Sequence, residues 1–155
     1  MFSEKSENLL KNYGLQLMPT KIKPWGFTIG IHPNSIHKFI NLFFPESMVN
    51  EDQVSPRFII VNPKSRLSWQ KHERRMELWK IVKGPVGVML SQTDKEPKSP
   101  EIKNTNSIIK IGPQTRHRIV GLTEPAIVAE IWIHTNENNP SDANDITRLD
   151  DDYER

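Results

Sequence analysis

From Phe58 to His134 the chain is a succession of short β-type runs cut by proline and glycine, and no long helix fits that punctuation. The runs cover 58–62, 66–72, 77–83, 85–92, 107–111, 116–121 and 125–134. Asn62-Pro63, Lys83-Gly84-Pro85, Gly112-Pro113 and Glu124-Pro125 separate most of them. Proline lacks the amide donor that a sheet interior needs, and glycine admits turn conformations, so these strings mark reversals of direction. Many short strands at even spacing build a sandwich or a barrel. The polar stretch 93–105 reads as a loop with room for a short strand. The expectation is an all-β fold, and 155 residues suffice for one domain.

Residues 1–57 follow a different pattern. Residues 3–13 read as a short helix that stops at Gly14, and 15–23 alternate loosely, as an edge strand does. Lys23-Pro24-Trp25-Gly26-Phe27 reads as a turn entering a strand. In 33–46, Ile36, Phe39, Ile40, Phe43 and Phe44 recur at helical spacing before Pro45 ends the run. This predicts a helix near 35–44 with its apolar stripe laid on the outside of a sheet. The chain thus divides into an N-terminal extension (1–57), a barrel core (58–134) and a C-terminal tail (135–155).

Composition excludes several function classes. Lys and Arg number 21 against 19 Asp and Glu, without the basic stripe of a nucleic-acid binder. No apolar run approaches the ~20 residues of a membrane span. The N-terminus has no apolar stretch of signal-peptide type, so the expected location is cytoplasmic. With no cysteine, disulfides, thiolate metal sites and cysteine nucleophiles are excluded. On charge alone, Asp150-Asp151-Asp152 reads as a solvated tail.

The chemistry concentrates in residues 68–79. Gln70 and His72 are two apart and project from one face of a strand. Glu73–Arg75 make a turn, and Glu77 opens the neighbouring strand. An imidazole, a carboxylate and an amide oxygen form a mixed set suited to a divalent ion. A second imidazole, His117, follows Pro113-Gln114-Thr115-Arg116 at a turn-to-strand junction. Four ligands on separate strand pairs leave open positions for water or substrate, as a catalytic metal requires. Spacing alone also allows both histidines to be surface or hydrogen-bonded residues.

Gln70-x-His72-x4-Glu77, followed by Pro113-x3-His117, resembles the two cupin motifs, with Gln70 where most cupins carry their first His. That variant is typical of type II mannose-6-phosphate isomerases. Lys23-Pro24-Trp25-Gly26 resembles their Arg-Pro-Trp-Gly, and Arg66–Trp79 resembles Ser-Leu-Gln-x-His-x2-Arg-Ala-Glu-x-Trp. Residues 144–155 resemble the terminal Asp-Asp-Ile-x-Arg-x-x-Asp-x-Tyr-Gly-Arg, which moves the acidic cluster toward a structural role. The sequence departs at Asn144, at Glu154, at Trp132 (where the family has Gln) and in the longer segment 33–57. These departures point to a stand-alone branch whose substrate need not be mannose 6-phosphate.

The resemblance implies a cupin-type double-stranded β-helix, or jelly-roll barrel, with one or two short peripheral helices. It implies one divalent metal on Gln70, His72, Glu77 and His117, zinc before manganese, nickel, cobalt or iron. The implied activity is aldose–ketose isomerisation of a phosphorylated sugar through an enediol. The alternatives are a binding cupin without turnover, or another cupin chemistry such as epimerisation or oxidation. Glu130, in an apolar strand, is the candidate for acid/base work, with an ion pair to an arginine as its structural alternative. Arg148, placed by the terminal motif, joins it at the catalytic centre. Arg75, Arg118 and Lys80 are candidate phosphate donors. Trp79 shares a strand face with Glu77 and is the candidate for stacking on a sugar, with plain packing as the alternative. A homodimer through an unpaired sheet edge is expected.

Overall fold

The computed structural model describes residues 2–155. The strands are β1 (Leu17–Lys23), β2 (Gly26–Ile31), β3 (Val54–Val61), β4 (Trp69–Lys71), β5 (Arg75–Lys83) and β6 (Val86–Ser91), then β7 (Glu101–Lys103), β8 (Ile108–Ile111), β9 (Arg116–Val120), β10 (Ala126–His134) and β11 (Thr147–Asp150). Two helices, α1 (Phe2–Lys11) and α2 (Ile36–Phe43), precede β1 and β3. The strands form a six-stranded sheet in the order β1-β2-β3-β10-β5-β8 and a five-stranded sheet in the order β11-β4-β9-β6-β7. Every pairing is antiparallel. The chain changes sheets between β3 and β4, β4 and β5, β5 and β6, β7 and β8, β8 and β9, β9 and β10, and β10 and β11. That repeated crossing makes the jelly-roll barrel the sequence led us to expect.

Side-chain alternation divides the larger sheet between two cores. From β10, Ile127, Ala129 and Ile131 face outward, joining Phe58 and Ile60 of β3 under the Phe39, Ile40 and Phe43 stripe of α2. Ala126 and Val128 face inward, joining Ile59, Trp79, Ile81, Val86, Val88, Ile109 and Ile119 between the sheets. The outer core is rich in aromatic contacts: Phe58 meets Phe39 and Phe43 edge-on, with ring centroids 5.2 and 5.4 Å apart. Such pairs add about 0.5–1.5 kcal/mol each beyond the area they bury. The helix expected near 35–44 is therefore present, on the expected outer face. A short 3-10 turn, Pro33–Ser35, leads into it.

Both terminal regions do more than the expected division allowed. Pro24 and Trp25 make a tight turn between β1 and β2, and Trp25 packs in the inner core. Gly26 takes φ +151, and a Cβ there would lie 1.9 Å from the Ile60 carbonyl oxygen, so only glycine lets β2 lie this close to β3. At the other end, residues 147–150 form strand β11, which pairs with β4.

Arg118 fastens that strand. Fully buried, it donates to the Leu67 carbonyl (2.8 Å), to Glu96 (2.6 Å) and to the Asp150 carboxylate (2.8 Å). Arg66 adds a forked pair to Asp152 at 2.7 and 2.8 Å. The acidic cluster is thus a fastening for the C-terminal strap. R118M should cost roughly 3 kcal/mol, because it takes the donor from two carboxylates and two carbonyls, and chemical denaturation measures it. Arg66 holds the Asp152 carboxyl below its ordinary value, against a smaller opposing effect of burial. This pair therefore stabilises the fold above the unfolded carboxyl value of about 3.9 and is lost as pH falls through the lower folded value. In R66M, a carboxyl-carbon NMR titration of Asp152 should return to the ordinary range.

Candidate metal centre

Register assembles the site. On the smaller sheet Arg148, Gln70 and His117 lie side by side across β11, β4 and β9. On the larger sheet Arg57, Glu130 and Trp79 lie in one row, and Trp132 and Glu77 in the next. His72 stands just past β4, where the chain turns toward β5. All of these positions except His117 line a cavity of about 110 Å³ between the sheets.

At its base His72 Nε2 lies 3.1 Å from His117 Nε2, and the two lie 3.2 and 3.6 Å from the oxygens of Glu77. All three residues are buried. The Nδ1 atoms fix the chemistry: His72 Nδ1 donates to the Asp145 carbonyl (2.7 Å) and His117 Nδ1 to the Thr115 carbonyl (2.9 Å). A carbonyl can only accept, so each ring carries its proton on Nδ1 and presents a bare lone pair on Nε2. Burial pushes the His72 pKa down to about 3, with the charges of His117 and Arg75 acting in the same sense. Two lone pairs and a carboxylate thus face one point.

That arrangement fits a metal ion. Two donors, each ~2.1 Å from one ion, stand about 3.0–3.4 Å apart at octahedral or tetrahedral angles. The 3.1 and 3.2 Å separations fall in that range, and 3.6 Å lies just beyond it. Gln70 lines the same cavity, and it pairs with His117 across the neighbouring strands.

The surrounding groups hold these donors in place. Trp79 Nε1 donates to Glu77 Oε2 at 3.0 Å, and its ring meets His117 edge-on at 5.5 Å. Trp79 is 1% exposed, so it braces ligands and offers no free face for a sugar. Arg75 donates to Glu77 Oε1 (2.9 Å), to His72 Nε2 (3.1 Å) and to Ser141 (3.0 Å). Its guanidinium therefore flanks the point that an ion would take. It also stacks on Trp132, 3.6 Å from the ring centroid, with Arg57 at 4.9 Å.

Glu130 faces the cavity as expected, but its carboxylate already has partners. It accepts from Arg57 Nε at 3.1 Å and from the Trp132 indole. The arginine ion pair weighed as its structural alternative is therefore present. Arg148 also lines the cavity. Two expected phosphate donors lie elsewhere. Lys80 is on the outward face of β5, opposite to Glu77 and Trp79, and Arg118 faces away from His117 and is spent on the strap. Strand parity separates both from the cavity.

Sequence reasoning missed Asp145, Arg57, Lys23 and Arg155. Asp145 is the most consequential. Its carboxylate accepts from the Glu73 and Arg74 amides (2.9 and 3.0 Å) and from Ser141 (2.6 Å), while its carbonyl orients His72. Burial pushes its carboxyl up, but those hydrogen bonds and the Arg74 charge outweigh it and bring the pKa down to about 2. The signal was available, for Asp145 is the residue of the terminal Asp-Asp-Ile motif that this chain keeps. D145A should free the 72–75 turn. We expect extra His72 ring mobility by NMR relaxation and a metal affinity lowered about 10–100-fold, measured by competition with a chelator.

A family model described as Mannose-6-phosphate isomerase C-terminal matches residues 34–151. No curated protein matches the sequence. Among solved structures, the capsular polysaccharide assembling protein CapF from Staphylococcus aureus aligns with a TM-score of 0.59 at 14% identity, covering 87% of this chain and 34% of that one. Oxalate decarboxylase from Bacillus subtilis aligns at 0.60 and 12% identity, covering 84% and 30%. This chain spans about a third of the length of either, and at such identities the likeness is one of fold. Among the described residues no helix is long and apolar enough to cross a membrane.

Proposed function

Because the chain belongs to the mannose-6-phosphate isomerase C-terminal family, we propose that it interconverts the aldose and ketose forms of a phosphorylated sugar. The observation that carries the proposal is the convergence of two imidazole nitrogens and a carboxylate beneath a cavity that also holds a second carboxylate. His72, Glu77, His117 and Gln70 would hold one divalent ion, with zinc the first candidate. When bound, such an ion polarises the carbonyl and hydroxyl oxygens of the sugar.

The remaining work falls to the chain. Glu130 takes the proton from the carbon beside the carbonyl and returns it to the neighbouring carbon, so one carboxylate serves both half-reactions. Arg57 and the Trp132 indole keep that carboxylate fixed at the cavity wall. Arg148 holds the far end of the substrate.

A second reading, a sugar-phosphate-binding protein without turnover, is favoured by those same two bonds, because they commit one oxygen, Oε1, of the carboxylate that would accept the proton.

Metal-loaded protein offered mannose 6-phosphate and related hexose and heptose phosphates in deuterated water decides between them. Isomerisation predicts deuterium at the carbon that gains the proton, lowered at least 100-fold in E130Q with binding retained. Binding with neither exchange nor isomerised product across that panel establishes the second reading. Elemental analysis should find about one divalent ion per wild-type chain, and much less in H72A, E77A and H117A.

A further inference from the structure

The cavity carries more cations than it neutralises. Three of its arginines have partners: Arg57 pairs with Glu130 (3.1 Å), Arg75 with Glu77 (2.9 Å) and Arg155 with Asp151 (2.9 Å). Lys23 and Arg148 line the same cavity. Among the described residues neither makes a side-chain hydrogen bond or an ion pair. Lys23 closes β1 on the larger sheet, next to the Pro24-Trp25 turn. Arg148 sits on β11 of the smaller sheet, level with Gln70. Two segments from opposite ends of the chain thus bring one uncommitted cation each to one opening.

The electrostatic setting of Lys23 agrees with this geometry. Burial lowers its pKa first, and Arg57, Lys21, Arg155 and Arg148 lower it further. Asp151, paired with Arg155, is the carboxylate that feels the Arg148 charge. Cations held this close together repel one another, and a bound anion offsets that cost.

We propose that Lys23 and Arg148 form an anion subsite for a phosphomonoester, with Lys23 the residue that selects for its charge. Two free cations match the charge of about −1.5 to −2 that a phosphate ester carries at neutral pH. Arg148 offers a planar fork to two phosphate oxygens, and Lys23 offers a point charge. A carboxylate, with one negative charge, would leave half of the positive charge unmatched. The assignment deepens the proposed function by naming the groups that hold the non-reacting end of the substrate.

The test uses inorganic phosphate as the probe and the full-length protein, both metal-loaded and chelator-treated. Calorimetry should give phosphate binding in both forms, with acetate at least tenfold weaker. K23M and R148M should each weaken phosphate about tenfold or more, K23R should stay within about threefold of wild type, and the exposed-site control K64M should not change. A second measurement needs no variant. Lys23 should acetylate faster than Lys64 at pH 8, by mass spectrometry, and phosphate should protect it selectively.

Equal affinity for acetate, unchanged binding in K23M, or no protection of Lys23 by phosphate would each overturn the subsite. Its failure is distinguishable from that of the isomerase reading. Phosphate binding that depends on Lys23, without deuterium exchange into any sugar phosphate, sinks only the isomerase. Exchange that is indifferent to K23M sinks only the subsite.

Discussion

Two imidazole lone pairs pointing at each other across 3.1 Å are the constraint on which the rest of this structure depends. With both Nδ1 protons committed to carbonyls, nothing between the rings can donate, and Glu77 adds negative charge to the same point. Arg75 offsets part of this from one side, through single bonds to Glu77 and to His72. Such a centre needs a scaffold that holds its donors in place. It is held by Asp145, which ties the turn after β4 from 73 residues along the chain. The C-terminal strap therefore has two tasks. Its ion pairs through Arg118 and Arg66 close the edge of the smaller sheet, and they deliver Asp145 to His72 and Arg148 to the cavity.

The same economy governs the larger sheet. Glu77, Glu130, Trp79 and Trp132 come from two adjacent strands whose register sets them in neighbouring rows. Each carboxylate is met by one arginine and one indole N–H: Glu77 by Arg75 and Trp79, Glu130 by Arg57 and Trp132. A buried carboxylate without partners costs several kcal/mol, so this pairing allows two acids to face one small cavity. Trp132 links the two sets, since its ring stacks on both guanidiniums while its indole reaches Glu130. Replacing the family's Gln with Trp thus changes the shape of the cavity and joins the two acid–arginine pairs through one side chain.

Much of this was legible in the sequence, for identifiable reasons. Turn strings and alternation located the barrel strands, and the aromatic period of residues 36–44 located the outer helix, because these signals are local. The cluster of His72, Glu77 and His117 followed from parity and from the motif resemblance. Lys80 and Arg118 were placed wrongly although parity could have corrected both, since Lys80 adjoins inward Trp79 and Arg118 adjoins inward His117. Arg57, Lys23 and Arg155 were not legible. Each reaches the cavity through a register or a chain crossing that couples distant segments, and nothing in their own neighbourhoods records it. Asp145 lies between these cases: a motif marked it, but only the fold gives the mark a meaning.

Charge balance then bears on what the cavity can accept. Its walls carry five basic side chains, Lys23, Arg57, Arg75, Arg148 and Arg155, and two carboxylates, Glu77 and Glu130. A divalent ion on the histidines would raise the positive excess further. A neutral sugar could hydrogen-bond to these walls but would leave the excess uncompensated in a partly desolvated space. A dianion would compensate part of it. Under the proposed function the two requirements separate in space. The paired carboxylates and imidazoles serve the reacting carbons, and the unpaired cations serve the phosphate. Discrimination among phosphorylated sugars is then left to the room between those groups, which Trp132 and its two stacked arginines set.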